Sequence, residues 1–88
     1  MKFRKKPVVI EAIQYFGHNF NLIRQFVGNS TPLHRLGGSV FGIQTPEGVM
    51  RVHVKDWIIK GVKGEFYPCK PAIFKMTYEV VEEKAGTN

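Results

Sequence analysis

The chain has 88 residues, a formal charge of +6, and 43% hydrophobic, 12% aromatic and 23% charged residues. That length makes one domain with one thin core and leaves no room for a deep cleft between lobes. The composition is that of a folded protein, and the single cysteine, Cys69, excludes an internal disulfide.

The opening Met1-Lys2-Phe3-Arg4-Lys5-Lys6-Pro7 is basic, and the apolar run behind it, Val8-Val9-Ile10, stops at Glu11. Such a run is too short for a signal core or a membrane span, so a cytoplasmic protein is expected. Pro7 to Phe16 reads as a first strand because Val8, Val9, Ile10 and Ile13 are β-branched. A helix follows over Phe20–Val27, with Leu22, Ile23, Phe26 and Val27 on one face, Asn19 or Asn21 as N-cap and Gly28 as the stop. Asn29 to Gly38 reads as a loop.

Ser39–Gln44 and Val49–Val54 form the clearest hairpin, joined by the turn Thr45-Pro46-Glu47-Gly48. Alternation in its second strand turns Met50, Val52 and Val54 one way and Arg51 and His53 the other. Asp56–Ile59 and Glu65–Tyr67 are the next two strands, separated by a basic glycine turn and ended by Pro68. Pro71 opens a helical turn through Met76, and Thr77–Val81 has the composition of a last strand. The expectation is one α+β domain over residues 1–81, mainly antiparallel β, built as a small bent sheet or partly open barrel with one short helix. Residues 82–88 form a polar tail. The free edges of such a sheet suggest a homo-oligomer.

Catalytic and cofactor chemistry is thinly represented. His18, His34 and His53 are scattered and lack metal-ligand spacing with Cys69. No nucleophile elbow surrounds Ser30 or Ser39, and no Walker loop or dinucleotide fingerprint is present. No metal, no cofactor and no enzymatic activity are therefore expected. The basic excess instead favours anionic partners. Arg4, Lys5 and Lys6 form one cluster, and Lys55, Lys60, Lys63 and Lys70 border the aromatics Trp57, Phe66 and Tyr67. Lysines interleaved with aromatics can hold a phosphate and stack a planar ring. Trp57 and Phe66 also suit a core, whereas Tyr67 falls on the face opposite Phe66.

Two stretches resemble a group of small phage and prophage proteins. One is Arg4-Lys5-Lys6-Pro7-Val8-Val9-Ile10-Glu11-Ala12-Ile13-Gln14-Tyr15. The other runs from Asp56-Trp57-Ile58-Ile59 through Lys60-Gly61-Val62-Lys63-Gly64 to Glu65-Phe66-Tyr67-Pro68-Cys69-Lys70-Pro71, followed by Ile73-Phe74 and Thr77-Tyr78. The group is similar to the PGDYG-type domain, in which a Gly-Asp-aromatic turn follows a short hairpin. Lys55 stands where that motif has its Gly.

The resemblance implies a phage origin and brings no activity with it. Several phage proteins of this size are oligomeric sponges for nucleotide-derived immune signals of the bacterial host. By that analogy the expected function is non-catalytic sequestration of an anionic nucleotide-like molecule, countering host defence in the cytoplasm of an infected cell. The expected site has Arg4, Lys5, Lys6, Lys60, Lys63 and Lys70 on phosphate, Trp57 and Tyr67 stacking, and Gln14 and Glu65 hydrogen-bonding base or ribose. The alternative is a regulatory module that binds nucleic acid or a host protein.

Overall fold

Between β3 (Val40–Thr45) and β4 (Gly48–Val52) the sequence dictates its own turn. Gly48 takes φ 110°, which a side chain would resist, and Thr45 Oγ1 donates to the Gly48 carbonyl at 2.7 Å. The computed structural model, which describes residues 1–4 and 6–81, builds outward from this hairpin. β2 (Leu33–Gly37) pairs antiparallel with β3 and completes one three-stranded sheet, order β2-β3-β4. A second sheet has the order β1-β5-β6, from β1 (Glu11–Gln14), β5 (Trp57–Lys60) and β6 (Phe66–Cys69). The helices are α1 (Phe20–Val27) and α2 (Pro71–Thr77).

The class is thus α+β and mainly antiparallel β, as expected. The strands form two three-stranded sheets that do not close into a barrel, and the expected helical turn at Pro71 is a second short helix, one more than the single helix expected. Among the described residues no helix is long and apolar enough to cross a membrane. The tail 82–88 lies outside the described residues.

The core lies where the sheets and α1 meet. Ile23 and Val27 from α1 pack with Tyr15, Phe41, Ile43, Val52, Ile58 and Phe66. Three edge-to-face ring pairs organise it: Tyr15 on Phe41, Phe20 on Phe41 and Phe26 on Phe66. β6 packs against β3 and β4, which closes the sheets onto each other.

Several boundaries differ from the sequence reading. The expected loop 29–38 contains β2, because the hairpin to β3 turns through Gly38-Ser39 and pairs Leu33 with Ile43. The first strand is paired only over Glu11–Gln14, since β5 ends at Lys60 and offers nothing further to Val8–Ile10. Thr77–Val81 forms no strand, as the helix opened by Pro71 carries through Thr77. The strand expected over Val49–Val54 ends at Val52, its one buried residue; Met50 within it and Val54 beyond it are exposed.

Pro68 sits inside β6, opposite Ile58, and does not end the strand. The Gly61 N–H donates to the Glu65 carbonyl at 2.7 Å, which fixes the bonding phase of the pair. Odd residues of β6 face β5, so Pro68 turns its missing N–H to the open edge, where proline is tolerated.

Candidate functional site

Seven of the expected site residues belong to sheet β1-β5-β6 or its turns. Register sets their faces. Gln14 pairs with Trp57, Trp57 with Cys69, and Ile59 with Tyr67, so Gln14, Trp57 and Tyr67 share the sheet face turned away from Ile58 and Phe66. Lys60 points to the opposite face and comes within 4.0 Å of Glu11. Lys63 lies exposed at the β5–β6 turn, and Lys70 caps the far end beside Trp57. Arg4 and Lys6 lie exposed ahead of β1, and Lys5 falls outside the described residues. The nine described residues therefore do not converge on one pocket within a single chain.

Trp57 is half-buried for a specific reason. Phe74 of α2 stacks on it at 4.1 Å with rings 5° from parallel, and Tyr78 leans on Phe74 at 5.0 Å. One ring face is thereby occupied from within the chain. This stack attaches a helix that has no buried residue of its own.

Glu65 folds over the β5–β6 turn. Its Oε1 accepts the Lys63 N–H at 2.9 Å and its Oε2 accepts the Tyr67 hydroxyl at 3.2 Å. A side chain at Gly61 would begin 2.6 Å from this carboxylate, so glycine is what permits the approach. The carboxyl is held below its ordinary value, first by its own backbone N–H and, against some desolvation, by Tyr67 and Lys63. The Tyr67 phenol is pushed up by burial and then by Glu65.

The densest polar cluster lies at the other end of the sheet. Asp56 is 2% exposed. Its Oδ2 accepts the His53 backbone N–H at 2.9 Å and the Lys70 ammonium at 3.0 Å. Lys70 also lies 3.3 Å from His53 Nδ1, which accepts in the Nε2–H tautomer. A buried carboxylate needs such partners, so Lys70 is engaged in the fold. The Asp56 N–H closes a four-residue turn onto the His53 carbonyl at 3.0 Å.

Lys55, the third residue of that turn, has φ 83°, the one positive value at a described residue other than glycine. This is the position where the resembled motif carries Gly. The strain is held by three contacts. Lys55 N–H donates to the Tyr15 carbonyl at 2.6 Å, Tyr15 N–H donates to the Asp56 carbonyl at 2.8 Å, and the Gln14 amide donates to the Lys55 carbonyl at 2.9 Å. Gln14 is therefore partly committed to the turn.

Sequence reading missed the buried role of Asp56. The His53-x-x-Asp56 spacing around a turn was its available signal. Cys69 is half-buried, and burial followed by Asp56 raises its thiol, which reduces the thiolate available for chemistry. Among the described residues no group of His, Cys, Asp and Glu could hold a metal.

Two concavities are open to solvent. The larger, about 270 Å³, is lined by Ser30, Thr31, Gln44, Thr45, Glu65 and Phe66 among others and has no Lys or Arg. The smaller, about 180 Å³, includes Arg35, whose guanidinium lies 5.3 Å from the Phe20 ring centre.

No protein-family model, no curated protein and no solved structure matches this chain.

Proposed function

We propose that this is a non-catalytic binding protein that sequesters an anionic, nucleotide-derived signalling molecule. One observation carries the reading: Gln14, Trp57 and Tyr67 share one sheet face, and Lys63 and Lys70 stand at its two ends. A planar base has an aromatic face to meet there, and phosphates have cations within reach. The sequence resemblance supports placing this activity in an infected bacterial host, where removal of a defence signal benefits the phage.

The test is native mass spectrometry and calorimetry with a panel of cyclic nucleotides and cyclic ADP-ribose variants. Intact ligand recovered at fixed stoichiometry, with affinity lost in Lys63→Glu, is the expected result. Binding unchanged in Lys63→Glu, or no binding across the panel, rejects the reading. Release of a hydrolysed product would make the protein an enzyme instead.

A second reading, a nucleic-acid-binding module, is favoured by the spread of the cations. Among the described Lys and Arg residues only Lys60 and Lys70 reach a carboxylate within 4.0 Å, and the larger concavity has no basic residue. Dispersed free cations suit an extended polyanion. Such binding weakens steeply with salt, in proportion to the number of phosphates contacted, whereas a small ligand gives a shallow slope.

A further inference from the structure

The two edges of sheet β1-β5-β6 are not alike. The β6 edge carries Pro68 with its N–H-less nitrogen turned outward, and proline on an edge blocks pairing with another strand. The β1 edge has no such block between Val8 and Gln14.

Its bonding phase follows from the contacts already described. Tyr15 exchanges backbone bonds with Lys55 and Asp56, so Glu11, Ile13 and Tyr15 direct their N–H and C=O groups toward β5. The even residues then direct theirs to the open side. The Gln14 carbonyl confirms the phase, because it accepts the Asn19 side-chain amide at 2.9 Å instead of a β5 group. Past Gln14 the edge is closed by Asn19. From Val8 to Ala12 no backbone bond to another segment is formed on that side among the described residues.

This open stretch is also where strand chemistry exceeds strand structure. Val8-Val9-Ile10 is β-branched throughout, yet it lies outside any strand, with Val8 49% and Val9 78% exposed. Met1 and Phe3 ahead of it are exposed as well, so the open edge continues into apolar surface.

We propose that the β1 edge pairs antiparallel with the β1 edge of a second copy of this chain, about a two-fold axis at Ile10. The outward-facing residues define this register. Ile10 meets Ile10, Val8 of each copy meets Ala12 of the other, and the sheets merge into one of six strands. Pro7 is an odd residue and turns its nitrogen away from the new partner, so it does not obstruct the pairing. A like-charge clash is avoided as well, because Glu11 falls opposite Val9.

One step of this inference rests on the nucleotide-binding reading. The same register sets Lys6 of one copy opposite Gln14 of the other, on the face that also carries Trp57. Lys6 would join Gln14, Trp57 and Lys70 of its neighbour. The ligand site would then be complete only in the pair, two sites per dimer.

The test starts without ligand. Sedimentation equilibrium is expected to give twice the 10.1 kDa chain mass, and Ile10→Pro is expected to halve it. The Ile10 N–H is not used in the β1–β5 ladder, so this variant should keep its fold by circular dichroism. Amide exchange on the unmodified protein is the second measurement. The Ile10 and Ala12 amides, which have no partner in one chain, should be protected at high concentration and exchange freely on dilution.

A monomer at all concentrations, a dimer that persists in Ile10→Pro, or fast exchange at Ile10 and Ala12 within a dimer overturns the proposal. Ligand titration is a separate arm. A dimer that binds no nucleotide leaves the pairing standing and removes the nucleotide reading, while a monomer that binds nucleotide does the reverse.

Discussion

Between β3 and β4 the chain turns through Pro46 and Gly48, residues whose own backbone preferences match the turn, helped by the neighbouring Thr45 hydroxyl. The approach to β5 is built in the opposite way. There Lys55 is held at φ 83°, against its preference, by Tyr15, Gln14 and the buried Asp56. Local chemistry suffices for the β3–β4 turn. At Lys55 tertiary contacts impose the backbone, and one of the residues they use, Gln14, belongs to the candidate site. Strain of this kind, about 1–3 kcal/mol per residue, persists only where surrounding structure over-determines it.

The comparison can be broken hardest in the core that both sheets share. Phe41→Ala removes a ring that touches both Tyr15 and Phe20. It should cost about 3–5 kcal/mol, read as a large drop in the urea midpoint. A loss under about 1 kcal/mol, as for a surface change, would place the core elsewhere.

Next comes the tertiary clamp. Asp56→Ala leaves the His53 N–H without its acceptor and frees Lys70, costing roughly 2 kcal/mol. Lys70→Met should cost less, about 1 kcal/mol, because the buried Asp56 carboxylate keeps the His53 N–H and loses a partner whose ammonium end is solvent-accessible. Equal losses in the two variants would show that the ion pair, not the turn hydrogen bond, carries the clamp.

Lys55→Gly has the opposite sign. Relief of the left-handed backbone should stabilise the protein by about 1 kcal/mol, seen as a raised melting temperature. No such gain is expected at Val54, which precedes it in the same turn. A destabilised Lys55→Gly would mean that the lysine side chain, whose ammonium lies 5.5 Å from the Phe16 ring centre, contributes more than the strain takes away.

The smallest effect concerns pH. Glu65 titrates below its ordinary 4.5 in the folded protein. Its contribution is therefore complete above 4.5 and is lost as pH falls through the lower folded value. Glu65→Gln should lower stability near neutrality, match the unmodified protein at low pH, and so flatten the acid side of the stability profile below pH 4.5. An unchanged acid slope would detach Glu65 from the turn.

The parts of the fold that were legible in the sequence are those with local causes. The β3–β4 hairpin, α1 and the Pro71 helix start were all announced by turn residues, helical spacing and proline. What was not legible depends on partners distant in sequence. Leu33–Gly37 looks like a loop until β3 pairs with it, and Pro68 looks like a stop until the bonding phase turns its nitrogen outward. For the candidate site, Tyr67 and Lys63 were legible as a surface aromatic and a turn cation. The engagement of Lys70 with Asp56 was not, because a salt bridge across fourteen residues leaves no periodic trace.

The stack of Phe74 on Trp57 has an optical consequence. Trp57 is the sole tryptophan, so emission excited beyond the tyrosine absorption band comes from one ring with one face against α2. Any event that lifts the helix, or that slides a purine into its place, rewrites the emission spectrum without a label. The protein carries its own gauge of whether that ring is shared with its own chain or with something else.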